Sequence, residues 1–397
     1  MILRTLFLCA IACVATTPVA AQTVSFSIHN PNKEAMEKAP VAVKLADLNL
    51  QGEYDIKASV AGMDVPVQID DMDGDGMADE LFMLATLKAG ETQKVSLTTG
   101  LKSKKRLIPR TYAEIAVMKQ TQEGTQYVNV SDFTVAGSEQ AYKVLCNEGL
   151  AFETDMVGYL VRFDKSYSVS LLGKSRQTLE LRATHMQPDS VQQGLNYGSI
   201  VLDGYENIGL GSLRAWDGTA PDYLTMASKR RLRVVTTGPL RTVVEVHTYG
   251  WEPKNSETSA NVVQRFTVYA GHRDCRVDVS VSNTAPDFAL CTGMKSLIGG
   301  LLFSDKKGLY GCWGPIDEGQ GKLGMGMFIP DVQLYKETML LKGEDRVVPL
   351  NMQQGSASYF ITFCSSREKK SFASSQEWFS HLKQWKQGLT LQPIEIK

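Results

Sequence analysis

Between Thr111 and Cys364 apolar and polar residues alternate with a period of two, segment after segment. The clearest runs are T-Y-A-E-I-A-V-M-K, Y-L-V-R-F-D, R-T-V-V-E-V-H-T-Y, V-V-Q-R-F-T-V-Y-A, R-V-D-V-S-V-S and Y-F-I-T-F-C. A repeat of two places successive side chains on opposite faces, as a half-buried strand requires, and excludes helices of any length there. Long strands without intervening helical patterns predict an extended antiparallel sandwich and not βαβ units. Residues 22–108 carry shorter runs, V-S-F-S-I, V-A-V-K-L, I-K-A-S-V and K-V-S-L-T-T, which predict a small β-sandwich. The polar run K-S-K-K-R-L-I-P-R marks the boundary, so the larger domain covers 109–397. One helix is expected, from Ser374 to about Gln387, with Ser374 and Glu377 as a capping box and Trp378, Leu382 and Trp385 on one stripe. The fold class is therefore all-β, with a C-terminal helix.

Residues 1–21 read as a signal peptide: Arg4, an apolar run from Leu6 to Val14, and the small residues Val19, Ala20 and Ala21 before Gln22. That predicts a periplasmic or secreted protein. No later apolar run is long enough to span a membrane. Beyond the leader five cysteines remain, at 146, 275, 291, 312 and 364. The odd count and absence of a CxxC pair argue for buried thiols and leave at most a partial bridge pattern open. A formal net charge of −1 with dispersed Lys and Arg gives no nucleic-acid footprint. No G-x-S-x-G, H-E-x-x-H, P-loop or strand-borne dinucleotide motif occurs, so no nucleotide cofactor is expected.

From Asp70 to Glu80 the chain reads D-D-M-D-G-D-G-M-A-D-E. Asp71, Asp73, Asp75, the Met77 carbonyl and Asp79 match the spacing of an oxygen-ligand calcium loop, although Phe82 stands where the final bidentate Glu would be. The reading is a hairpin tip that holds a structural Ca2+. A solvated Asp/Gly turn is the alternative.

Candidate chemistry lies in the larger domain. In E-V-H-T-Y-G-W-E, alternation puts Glu245, His247 and Tyr249 on one face and Val244, Val246 and Thr248 on the other. Such a face suits a sugar, or simply water. Glu153 and Asp155 precede a strand that carries Arg162 opposite Tyr159, Val161 and Phe163. They suit general acid/base work or a structural ion-pair network. Arg214 with Trp216 and Asp217, and Trp313 with Asp317 and Glu318, set aromatics beside charges in glycine-rich loops, where binding residues concentrate.

Four ordered blocks carry a resemblance. V-Q-I-D-D-M-D-G-D-G-M-A-D-E-L, E-G-L-A-F-E-T-D-M-V-G-Y, G-L-N-Y-G-S-I-V-L-D-G-Y-E-N-I-G-L-G-S-L-R-A-W-D-G and L-G-M-G-M-F-I-P resemble a secreted bacterial domain-of-unknown-function family (number 4861), often found beside polysaccharide-degradation genes. The resemblance implies a galactose-mutarotase-like β-supersandwich and a link to breakdown of acidic glycans. The family usually has tryptophan at the position of Phe152, and W-G-M-D in place of Tyr197-Gly198-Ser199-Ile200. The expected function is a lyase or hydrolase acting on a uronate-containing oligosaccharide or polysaccharide, with an aldose-epimerase-like enzyme or a non-catalytic glycan-binding protein as alternatives. For a lyase, His247 or His185 would be the base and Arg162 or Arg214 would neutralise the uronate, with Glu153 as a further acid/base candidate. Tyr197, Trp216, Tyr249 and Trp313 would contact the sugar.

Overall fold

Strand pairing in the computed structural model is antiparallel in every ladder. The structure describes residues 22–100, 107–122, 124–138, 140–252, 258–282, 289–316, 321–334 and 339–397. The expected signal peptide and the Lys102–Arg106 run lie outside them.

The small sandwich stacks a five-stranded sheet on a three-stranded one. Phe26 and Ile28 from Thr23–His29, Val41 and Val43 from Met36–Lys44, and Leu97 from Thr92–Thr99 fill the space between. One edge of the five-stranded sheet comes from far along the chain, with no local signal for it: Glu395–Ile396 pairs with Thr23–His29, and Ile394 enters the same core. Residues 22–108 do not complete this sandwich alone.

The larger unit stacks a nine-stranded sheet on a six-stranded and a five-stranded one. Arg241–Trp251 and Ala260–Tyr269 lie in the nine-stranded sheet and Gly149–Thr154 and Gly158–Arg162 in the six-stranded one. Val244, Val246 and Phe266 meet Phe152, Tyr159 and Val161 in a single buried cluster, so the alternate residues of each strand must face away from it. The helix Ser375–Leu389 has the expected cap, the Glu377 N–H donating to the Ser374 hydroxyl at 3.2 Å. It lies across the strands Leu309–Pro315 and Lys322–Phe328. Gly311 and Gly326 give it a flat seat, since a Cβ on either would stand 2.3–2.5 Å from Leu382. Gly324 and Gly326 are thus strand residues under a helix.

The two units are locked together by buried polar contacts. The Gln68 side chain accepts the Leu240 and Arg241 N–H groups at 2.9 Å each. The Arg241 guanidinium, 7% exposed, donates to Asp70 and, at 2.6 Å, to Glu80. Its Cζ lies 4.5 Å from the Phe82 ring, which stacks on Tyr269. Among the described residues no helix is long and apolar enough to cross a membrane, and all five cysteines are free thiols.

Candidate functional site

The outer face of the six-stranded sheet is crossed by residues 174–198, which bear two short helices the sequence did not announce, Leu181–Thr184 and Ser190–Gly194. Glu153 fixes the first of them. Its carboxylate is fully buried, pairs with the equally buried Lys174 ammonium, and accepts the Glu180 and Leu181 N–H groups at 2.9 and 2.8 Å. That caps donors that would otherwise be orphaned at a helix start. The helix ends at His185 and Met186, consecutive non-glycine residues at φ 45° and 60°. Left-handed backbone of this kind costs on the order of 1 kcal/mol per residue and persists where surrounding contacts hold it.

What holds it is Glu114. Tyr112 and Glu114 point outward from Thr111–Thr121 while Ile115 enters the main core. The Glu114 carboxylate is wholly buried and lies 2.8 Å from His185 Nδ1, and it also accepts from Asn147 Nδ2 at 2.8 Å. Tyr112 Oη lies 3.4 Å from the other oxygen and accepts from Asn129 at 2.6 Å. The His185 side chain is 35% exposed, and its Nε2 has no hydrogen-bond partner among the described residues. A carboxylate bonded at Nδ1 fixes the tautomer and aims Nε2 at whatever lies in front of it. Around it stand the Tyr127 ring, 6.0 Å away by centroids, and the exposed Arg182, whose Cζ lies 4.5 Å from the Tyr112 ring. Cys146 sits beside them, its thiol pushed up by burial and by the Glu114 charge, so it is not an activated nucleophile.

Other expected residues on this face are committed to the scaffold. Arg162 donates to Glu148 at 2.6 Å and to Asp203 at 2.8 Å, with Tyr205 against it. Tyr197 stacks on Arg176, Cζ to centroid 3.8 Å.

On the nine-stranded sheet the predicted alternation holds: Val244 and Val246 enter the core, and Glu245, His247 and Tyr249 face outward. His247 Nε2 lies 2.9 Å from Glu245, and the Tyr249 hydroxyl lies 3.1 Å from Nδ1, so both imidazole nitrogens are occupied. Glu245 also accepts from Arg265 at 2.6 Å and lies 3.6 Å from Arg233. Burial pushes its carboxyl upward, but the bonds from His247 and Arg265 outweigh this and pull it down to about 2. The acidic loop borders this face, Arg233 donating to the Asp73 carbonyl at 2.9 Å. Carboxylate oxygens of Asp71, Asp73 and Asp79 lie within 4.8 Å of one another. Asp75 is not in that group; it accepts the Met77 N–H at 2.7 Å.

The remaining expected contacts lie elsewhere. Arg214 is an interior residue of the five-stranded sheet, donating to the Leu213 and Asn207 carbonyls and the Ser168 hydroxyl. Trp216 packs beside Ile208, Cys291 and Val347. Trp313 is 8% exposed in the cluster under the C-terminal helix, and Asp317 and Glu318 fall outside the described residues. His247, Arg162 and Trp216 belong to three different sheets and do not share one groove. The residues that sequence reasoning passed over are Glu114, Asn147, Tyr127 and Arg182. The available signal was Tyr112 and Glu114 alternating with Ala113 and Ile115, but the histidine that completes it is 71 residues away.

Three solved structures of similar fold are remote from this chain in sequence. An α-mannosidase from Enterococcus faecalis V583 aligns at TM-score 0.50 and 9% identity, over 94% of this chain and 46% of that one. A glycosyl hydrolase family 38 protein from Enterococcus faecalis aligns at 0.49 and 8%, over 94% and 47%. A putative aldose 1-epimerase from Klebsiella pneumoniae aligns at 0.30 and 10%, over 71% and 97%. The chain thus spans about half the length of the two hydrolase structures. No curated protein sequence matches. The sequence itself matches the family described as Domain of unknown function (DUF4861) over residues 28–396, and the chain belongs to that family.

Proposed function

We propose that the protein is an exported carbohydrate-active enzyme that takes a proton from a uronate-containing oligosaccharide, with His185 as the base. The observation that carries this reading is the partnerless Nε2 of a histidine whose Nδ1 is held by a wholly buried carboxylate. A base of this kind has its proton-accepting atom at the surface and its orienting charge behind it. Arg182, exposed and without an ion-pair partner among the described residues, supplies the positive charge for a uronate whose C5 proton is being removed. Likeness of fold to an α-mannosidase supports a sugar as the substrate.

Hydrolysis by paired carboxylates is less well supported. It needs two carboxyl groups open to opposite sides of the glycosidic bond. Glu114, Glu153 and Glu180, the acids under this face, are sealed, and the open ones, Glu148 and Asp203, are both bound to Arg162. Epimerisation at C5 would use the same abstraction and return the proton. A non-catalytic glycan-binding role is the second reading, favoured by the exposed Tyr205 ring lying against Arg162. Incubating the intact protein with a panel of uronate oligosaccharides, then measuring unsaturated uronate and product mass, separates them. New product that disappears in His185→Asn supports the enzyme; binding without product in the wild type sinks it.

The acidic loop is proposed to hold a structural Ca2+ through Asp71, Asp73 and Asp79, whose convergence suits a hard cation with oxygen ligands. Its place beside Arg233, far in sequence from His185, fits a role in pinning the loop and not in the chemistry.

A further inference from the structure

Residues 174–177, leaving the strand Val169–Gly173, and 368–370, just after Ser356–Ser365, wall a cleft of about 630 Å³. That lies within the ~300–1,000 Å³ typical of small-molecule sites. Five cations line it, Lys174, Arg176, Arg273, Lys369 and Lys370, against one lining acid, Glu368. Two of the five are already neutralised. Lys174 is held by Glu153 and by the Thr154 and Thr178 carbonyls at 2.6 and 3.0 Å. Arg273 pairs with Glu368 at 3.0 Å and donates to the Phe363 carbonyl at 3.1 Å.

Of the other three, Arg176 has one loose ion pair and the two lysines have none. Arg176 Nε stands 3.5 Å from Glu180, and neither atom has a hydrogen-bond partner although both are buried. An unsatisfied buried donor of this kind is costly, and a ligand acceptor would relieve it. Burial also pushes the Glu180 carboxyl upward, which weakens the only acid beside Arg176. The guanidinium lies against the Tyr197 ring, and its side chain is 40% exposed, so part of it is open to the cleft. Lys369 and Lys370 are exposed and have no acidic partner among the described residues.

We propose that this cleft, lined by none of the residues placed around His185, is a ligand subsite that takes the oxyanion of an acidic saccharide, whether carboxylate or sulfate ester. The saccharide part rests on the proposed function; the oxyanion part stands on the cleft's own charges.

The test is titration calorimetry on the full chain with inorganic sulfate, a uronate oligosaccharide, a sulfated disaccharide and a neutral oligosaccharide of equal length. The Lys369→Ala/Lys370→Ala double variant changes only exposed side chains, Arg176→Ala removes the stacked cation, and Lys88→Ala/Lys94→Ala controls for lost charge. The expected result is that one acidic saccharide binds, about tenfold or more weaker in either cleft variant and weaker at high salt, with the control unchanged. Comparing the uronate with the sulfate ester tells which oxyanion the cleft accepts. Equal affinity for the neutral saccharide, unchanged affinity in both cleft variants, or binding of inorganic sulfate alone overturns the proposal. Cleft-dependent binding without turnover in the wild type sustains the cleft and sinks the proton-abstraction reading. Turnover with binding unaffected by the variants does the reverse.

Discussion

Each outer face of the large unit pairs a glutamate with a histidine, and the two pairs end differently. On the six-stranded sheet Glu114 is completely buried, and His185 is 35% exposed with one nitrogen in use. On the nine-stranded sheet His247 is 11% exposed and both nitrogens are taken, by Glu245 and Tyr249. Glu245 is also shared with Arg265 and Arg233, whereas Glu114 is met by neutral donors, Asn147 and Tyr112. A carboxylate surrounded by cations stabilises a sheet surface; one serving a single half-open imidazole can direct a proton. The presence of a His–Glu pair is therefore a weak guide to chemistry, and the vacancy of the second nitrogen is a strong one.

The sharpest way to break this contrast is to exchange the outcomes. His185→Gln is expected to lower turnover on the oligosaccharide identified by screening by about 10²–10⁴-fold. His247→Gln is expected to leave kcat within a few-fold and cost about 1–3 kcal/mol in denaturant unfolding. The opposite pattern would move the site to the nine-stranded sheet. Glu114→Gln should reduce kcat by roughly 10²-fold with KM little changed, because the imidazole loses its orienting charge while the surface it presents stays the same.

Next in size is the stability held by Glu245. Its carboxyl lies at about 2 in the folded chain against 4.5 in the unfolded one, so the unfolded state binds the proton more readily. The contribution, about 3 kcal/mol, is fully present above 4.5 and is lost as pH falls from there towards 2. Urea unfolding across that window should show the loss in the wild type and a flatter profile in Glu245→Gln. An identical slope in both would remove the charge-cluster account of this face. The smallest effect concerns the acidic loop: Ca2+ against EGTA should shift Tm by a few degrees in the wild type and not in Asp71→Asn, with turnover unaffected.

Much of the architecture was legible because it depends on a local repeat. Alternation placed Glu245, His247 and Tyr249 on one face, and Leu160, Arg162 and Asp164 opposite Tyr159, Val161 and Phe163, without knowledge of what lay across from either. The helix over Ser375–Leu389 was legible from its cap and stripe. The site was less so, because its parts meet by long-range pairing. Glu153 read as a candidate acid, yet its role as an anchor depends on Lys174 and the Leu181 N–H, and these meet it only when residues 174–198 fold over the sheet. Glu114 looked like one polar residue in an apolar strand until His185 and Asn147 arrived from opposite directions in the chain. Arg214 and Trp216 looked available because glycines surround them, but no local pattern reports that another sheet will bury a loop.

The strand at Glu395–Ile396 closes the sheet begun at Thr23–His29, and Ile394 completes a core whose other members all precede Thr99. Synthesis therefore delivers residues 23–99 with a seam that stays open until residues 394–396 are made. It must wait, unfinished, through the making of the larger unit, and removing residues 394–397 would fray the strand Thr23–His29.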